Sequence, residues 1–129
     1  MEKWIPHIKN LGCNAVCFSP IFKSITHGYD TTDYFQIDNR LGSNGDFRSL
    51  ARKFHDEGIR VVLDGVFNHC GRDFFAFVDI REKGPGSVYR DWISGLDFSG
   101  GNSAGESFSY DTWSGYDELV KFNLKNPEV

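Results

Sequence analysis

The sequence predicts an α/β fold with parallel strands, and three observations predict it. Ala15-Val16-Cys17-Phe18 is a short continuous apolar run. Residues 43–58 read as one capped amphipathic helix. A second apolar run, Arg60-Val61-Val62-Leu63-Asp64-Gly65-Val66-Phe67, is followed at once by Asn68 and His69. Strand, helix, strand in this order is a βαβ unit, whose two strands run parallel. Buried parallel strands read as apolar runs without alternation, as these do. The polar groups Asp64, Asn68 and His69 fall at the downstream end of the second run, where α/β proteins carry their chemistry.

Taken in order, Trp4, Ile5, Ile8 and Leu11 fall at helical spacing, and Gly12 is a suitable stop. The first strand, at 15–18, is closed by Ser19-Pro20. Residues 22–44 are polar and aromatic without sustained periodicity, and read as a long functional loop. Their aromatic content is too high for disorder. Ser43 with Asp46 three residues on approximates a capping box and opens the next helix. Phe47, Leu50, Ala51 and Phe54 form its apolar stripe, and Gly58 ends it. The second strand covers 60–67. Residues 73–83 read as a further amphipathic helix stopped by Gly84-Pro85-Gly86, and 84–117 as an irregular excursion rich in Gly, Ser, Asp and aromatics. Asn126-Pro127-Glu128 is a strong helix start, with an N-cap, a proline at the first position and an acid in the first turn. That helix has no body before Val129, no strand precedes the first helix, and the sequence is therefore expected to be a piece of a larger α/β domain.

With 129 residues the chain can bury a core of its own. A net charge of −4 with scattered basic residues argues against a nucleic-acid partner. Every apolar run falls far short of the roughly 20 residues that span a bilayer. Met1-Glu2-Lys3-Trp4 carries no basic-then-apolar leader, so a cytoplasmic protein without membrane attachment is expected. The three cysteines, Cys13, Cys17 and Cys70, cannot all pair and lack metal-ligand spacing, so reduced and mostly buried thiols are expected. Aromatics make up 16% of the chain, several of them in polar, glycine-rich surroundings where flat rings suit sugar binding.

Four motifs in order carry a resemblance. Asp64-Gly65-Val66-Phe67-Asn68-His69 resembles the signature at the end of the third barrel strand of the α-amylase superfamily, glycoside hydrolase family 13. His27-Gly28-Tyr29-Asp30-Thr31-Thr32-Asp33-Tyr34-Phe35 resembles that family's loop after the second strand. Phe74-Phe75-Ala76-Phe77 and Tyr89-Arg90-Asp91-Trp92 resemble the small domain inserted after strand three. Glu118-Leu119-Val120-Lys121-Phe122-Asn123 resembles the motif closing the insertion, with Val120 and Phe122 where Pro and Leu are usual. The similarity is greatest to the neopullulanase, cyclomaltodextrinase and maltogenic amylase branch. The resemblance implies a partial (β/α)8 barrel, of which a complete one takes about 250 residues. Residues 1–70 would supply helix one to strand three, 71–125 the inserted segment, and 126–129 the start of the next barrel helix.

The resemblance also implies roles. His69 would hydrogen-bond a hydroxyl of the glucose at the point of cleavage, and Asp64 would support the site without attacking the sugar. Tyr29 would be the aromatic platform under that sugar, with His27 beside it at a position the family fills variably. Asp30 and Asp33 would brace the loop. Asn68 would be a calcium ligand, an ion that this branch often lacks. From the strand alone, a capped strand end with a surface histidine fits Asp64 and His69 equally well, as an ordinary loop aromatic fits Tyr29. The adjacent His69-Cys70 pair does not suit zinc, because neighbouring side chains on an extended chain point apart. The implied partner is an α-glucan or maltooligosaccharide, and whether the whole enzyme is a homo-oligomer stays open. The family's nucleophile and acid/base motifs, which follow strands four and five, do not occur here. Three expectations stand: an α-glucan hydrolase segment that binds substrate without cleaving it, a stand-alone carbohydrate-binding or interaction module, or a related scaffold that transglycosylates or does no catalysis.

Overall fold

The computed structural model describes residues 1–129. They divide into two compact units, Met1–Lys23 with Tyr34–Gly65, and Ser24–Asp33 with Val66–Val129.

The first unit contains the expected βαβ core. A 3-10 turn at Glu2–Trp4 leads into α1 (Ile5–Asn10), which uses Pro6 in its first turn. β1 (Ala15–Phe18) pairs in parallel with β4 (Arg60–Leu63), with Val16 opposite Val61 and Phe18 opposite Leu63. Between them runs α2 (Asn44–Asp56). The capping box is real: Ser43 Oγ accepts from the Asp46 N–H, and Asp46 accepts from the Ser43 N–H at 2.9 Å. Gly58 follows the C-cap at φ +74°. Phe54 and Ile59 join Ile5 in a buried cluster, with Val16, Phe18, Leu50 and Val61 packed against it. The cluster covers only one face of the strand pair.

Three expectations are corrected here. β1 and β4 are not buried on both faces: Ala15, Cys17 and Val62 are exposed, because the helices pack on the side of Val16, Phe18 and Val61. Two of the three thiols, Cys13 and Cys17, are exposed, and only Cys70 is buried. β4 also ends at Leu63 instead of Phe67. The Asp64 N–H still donates to the Phe18 carbonyl at 3.0 Å, but its partner strand then runs out at Ser19-Pro20.

The stretch 22–44 is more ordered than a loop. β2 (Phe22–Ser24) and β3 (Thr31–Ile37) form a two-stranded sheet. The β-branched and aromatic content of Thr31-Thr32-Asp33-Tyr34-Phe35 favours extended backbone.

The second unit is built on α3 (Phe75–Lys83) and a three-stranded antiparallel sheet. Its strands are β5 (His69–Cys70), β6 (Thr112–Trp113) and β7 (Tyr116–Lys121), in the order β5-β7-β6. The apolar side of α3, Ala76, Phe77 and Ile80, is buried. Phe77 meets Tyr110 and Phe108 edge to face at 4.9 and 5.9 Å, and Cys70 and Val120 are fully enclosed. Residues 84–111 are irregular, with short 3-10 turns at Gly84–Gly86 and Arg90–Trp92, but the excursion expected to reach residue 117 ends earlier, at β6 and the start of β7. At the C-terminus, Asn126 Oδ1 accepts from the Glu128 N–H at 3.0 Å, so the N-cap bond forms without a helix following it.

Candidate functional site

The second unit brings together Tyr29, His27, Asn68 and His69. The Tyr29 loop is folded around a buried carboxylate. Asp30 accepts from the Thr26 N–H at 2.8 Å, the Thr26 hydroxyl at 2.7 Å and the His27 N–H at 3.3 Å. Burial pushes this carboxyl's pKa up, but those hydrogen bonds and the His27 imidazole outweigh it and leave it below the ordinary 3.8. Asp30 is thus a brace. The Tyr29 N–H donates to His27 Nδ1 at 3.2 Å, and Tyr29 as a whole remains 43% exposed.

His69 opens β5, opposite Lys121 of β7, and is only 3% exposed. Its two ring nitrogens are both engaged. Nε2 lies 2.9 Å from the Tyr29 carbonyl and Nδ1 2.8 Å from the Asn68 side-chain nitrogen. A carbonyl only accepts, so Nε2 carries the hydrogen. Nδ1 then accepts from the Asn68 amide, which fixes the neutral tautomer and the orientation of that amide. A sugar hydroxyl reaches either nitrogen only by exchanging with one of these partners. Above the imidazole lies Trp113, with centroids 5.9 Å apart and planes inclined at 22°. Burial lowers the His69 pKa below its ordinary 6.5, more than the Tyr29 carbonyl raises it; His27 lowers it and Asp30 raises it.

The unfolded chain takes up this proton near pH 6.5 and the folded chain at a lower pH. Stability is therefore complete above about 6.5, falls as pH drops through that value, and stops falling below the folded midpoint. An NMR titration of the His69 Cε1 proton should give a midpoint below 6.5. A midpoint at or above 6.5 would contradict the tautomer and its buried setting.

Asp64 belongs to the first unit, half-buried at the end of β4, with its N–H continuing the ladder to Phe18. A concavity of about 560 Å³ in the same unit is lined by Phe18, Pro20, Ile21, Phe47 and Leu50 among others, and includes none of the five candidate residues. For calcium, Asn68 would supply one amide oxygen, and the chain assembles no group of three or more His, Cys, Asp or Glu around a common point. A hard cation takes six to eight oxygens, so these residues do not by themselves build its site. Burial pushes the Cys70 thiol far above its ordinary pKa, and it is chemically quiet.

Trp113 was not among the residues singled out by sequence. The signal was present: Trp113-Ser114-Gly115-Tyr116 places two aromatics around a Ser-Gly pair, a two-residue hairpin pattern. Strands of two and six residues inside a glycine-rich region hid it.

The family model described as the alpha-amylase catalytic domain matches residues 2–128. A cyclomaltodextrinase of Thermoanaerobacter pseudethanolicus is 43% identical over 129 residues, covering 97% of this chain and 22% of the relative. Neopullulanase 2 of Thermoactinomyces vulgaris is 40% identical, covering 97% of this chain and 21% of the relative. Among solved structures, the cyclic α-maltosyl-(1→6)-maltose hydrolase of Arthrobacter globiformis, in complex with cyclic α-maltosyl-(1→6)-maltose, superposes with a TM-score of 0.89. It is 41% identical, and the match covers 98% of this chain and 28% of that one. The chain thus spans about a fifth of the length of the curated relatives it matches.

Proposed function

The chain belongs to the alpha-amylase catalytic-domain family, and from that membership we propose that it carries the glucose-holding wall of a retaining α-glucan hydrolase. The relatives bear the names of enzymes acting on cyclic and branched α-glucans, and the proposed substrate is a maltooligosaccharide, cyclodextrin or pullulan chain cleaved at α-1,4 or α-1,6 bonds. We read residues 1–70 as helix one to strand three of the barrel, 71–125 as the inserted segment and 126–129 as the start of the next helix. We also place the protein in the cytoplasm, a reading supported by a Bacillus subtilis relative named intracellular maltogenic amylase. No helix is long and apolar enough to cross a membrane.

The observation that carries this reading is the bond from His69 Nε2 to the Tyr29 carbonyl, which joins two motifs far apart in sequence. It holds the Tyr29 loop, and with it a partly exposed tyrosine, at the start of β5, where the signature motif terminates. In this reading the Tyr29 ring lies against the apolar C–H face of a glucose unit. His69 positions that ring and can exchange an internal bond for a sugar hydroxyl, His27 supports the loop, and Asp64 fixes neighbouring donors by charge-assisted hydrogen bonds. Asn68 would be at most one ligand of a calcium ion, and no step depends on it. Retaining hydrolysis needs a nucleophilic and an acid/base carboxylate roughly 5 Å apart. No pair in this sequence has the family's motif for either role, so bond cleavage falls to groups outside residues 1–129.

Titration of the chain with maltoheptaose, followed by backbone amide NMR, tests the reading. Shifts should concentrate at residues 27–31 and 68–70 with a dissociation constant of about 1 mM, the order expected for a few contacts. Tyr29→Ala should weaken binding at least about fivefold. The reading fails if maltoheptaose at about 10 mM leaves those amides unmoved.

A further inference from the structure

A network of four charged side chains in the second unit takes no part in the site described above. Glu106 is its centre, with a side chain only 8% exposed. Glu106 Oε1 accepts from Arg72 Nη2 and stands 3.4 Å from Arg81 Nε. Arg81 Nη1 in turn lies 3.9 Å from Asp73 Oδ1. Stability does not account for this arrangement. Three buried polar atoms here, Arg72 Nε, Glu106 Oε2 and Asn102 Nδ2, have no partner in the chain. Each has given up water without gaining a bond. A buried ion pair satisfied only in part is often no better for a fold than apolar side chains of the same size, and its best-attested use is to fix a register.

The network holds one turn from both of its corners. Arg72 and Asp73 are the central residues of a turn closed by the Phe74 N–H, which donates to the Gly71 carbonyl at 3.0 Å. Gly71, the first residue of that turn, is the seat of the Tyr29 loop. Its N–H donates to the Thr31 carbonyl at 2.8 Å, and a Cβ on it would stand 2.3 Å from the Asp30 carbonyl oxygen. Backbones this close have no slack, so a displacement of the turn passes to the loop. Glu106 is itself well held. Its N–H donates to Asn102 Oδ1 at 3.1 Å, and its carbonyl accepts from the Asn102 N–H at 3.3 Å. The neighbouring Ser103 hydroxyl donates to Asp117 near the start of β7. Residues 102–106 are thus a closed loop fastened to the sheet, and Arg72 is tied to it.

We propose, on the basis of the sugar-holding reading above, that Glu106 is a positioning residue for α-glucan binding: acting through Arg72, it fixes the turn on which the Tyr29 loop is seated. Glu106 does not touch the sugar. It sets where the Tyr29 side chain stands when the sugar arrives. A gap of about 0.5–1 Å forfeits a quarter to a half of a dispersion contact, so a small shift of the seat is felt in affinity.

The test compares the full chain with Glu106→Gln and with the double variant Arg72→Met/Glu106→Met, by maltoheptaose titration at the Tyr29 amide and by urea melts. Glu106→Gln, which keeps an acceptor oxygen and loses the charge, should weaken binding about threefold. The double variant removes both partners together and fills the space with apolar side chains, so it should melt with the native chain. It should nevertheless bind at least about fivefold more weakly. In its sugar-free spectrum the Gly71 and Tyr29 amides and the His69 ring signals should shift, while the Tyr116 and Val120 amides stay in place. A merely structural role would leave those signals and the affinity unchanged in a double variant of native stability, and would overturn the proposal. A double variant that fails to fold makes the network a prop of the core and also overturns it. Native affinity in both variants removes this proposal and leaves the sugar-holding reading standing. If the native chain ignores maltoheptaose, both fall.

Discussion

Gly71→Ala should destabilise the protein by about 3 kcal/mol and release the Tyr29 loop from His69. A Cβ built on Gly71 would lie 2.3 Å from the Asp30 carbonyl oxygen and 2.8 Å from its carbon. Those atoms are backbone, so no rotamer change can move them aside. The loop that carries them is held by the three bonds to the Asp30 carboxylate and by the Gly71 N–H, which donates to the Thr31 carbonyl at 2.8 Å. Replacing glycine also stiffens the unfolded chain, which favours folding by about 0.4–1 kcal/mol. The clash exceeds that gain several-fold, and its sign decides the outcome. A urea melt gives the loss of stability, and the His69 imidazole signals report the broken bond to Tyr29. A variant within about 0.5 kcal/mol of the native chain would mean that the loop is not seated against Gly71.

Phe54→Ala should cost about 3–5 kcal/mol. Phe54 is fully buried between α2 and the β1–β4 pair, touches Ile5 and Ile59, and meets the Phe18 ring edge to face at 6.1 Å. Only one face of that strand pair is covered, so a lost ring has no second layer to compensate for it. Small units hold a net stability of only about 0.05–0.15 kcal/mol per residue. The substitution therefore removes most of what holds the first unit, and the amides of β1 and β4 should lose their protection from hydrogen exchange. Phe54→Leu, which keeps most of the volume, should cost less than about 1.5 kcal/mol. A Phe54→Ala chain that retains protected β1 and β4 amides would show that the core lies elsewhere.

What was legible in the sequence was mostly local. The Ser43–Asp46 capping box, the stripe Phe47, Leu50, Ala51 and Phe54, and the parallel pairing of two apolar runs depend on spacing within one element or on the βαβ rule, and each is found. The exposure of Cys17 and Val62 was not legible, since an apolar run does not say how many of its faces will be covered. β3 has no clear signal in the sequence, because Thr31–Ile37 mixes polar and aromatic residues with no turn dipeptide to mark a strand beginning. The site shows the same divide. His27, Tyr29, Asn68 and His69 stand out by type and motif, but the partner of His69 is a backbone carbonyl forty positions away, which no side-chain pattern announces. Trp113 reaches His69 only through a register slip between two short strands, and a slip has no sequence signature of its own.

The central claim is that these residues hold an α-glucan and do not break it. The most direct measurement is a reducing-sugar assay on a clean preparation of the chain, given maltoheptaose, a cyclodextrin and pullulan at concentrations where binding is seen. The account predicts no release of reducing ends above the buffer control, with sugar-induced shifts at Tyr29 and His69 in the same sample. Turnover that survives purification and disappears in His69→Ala would contradict it.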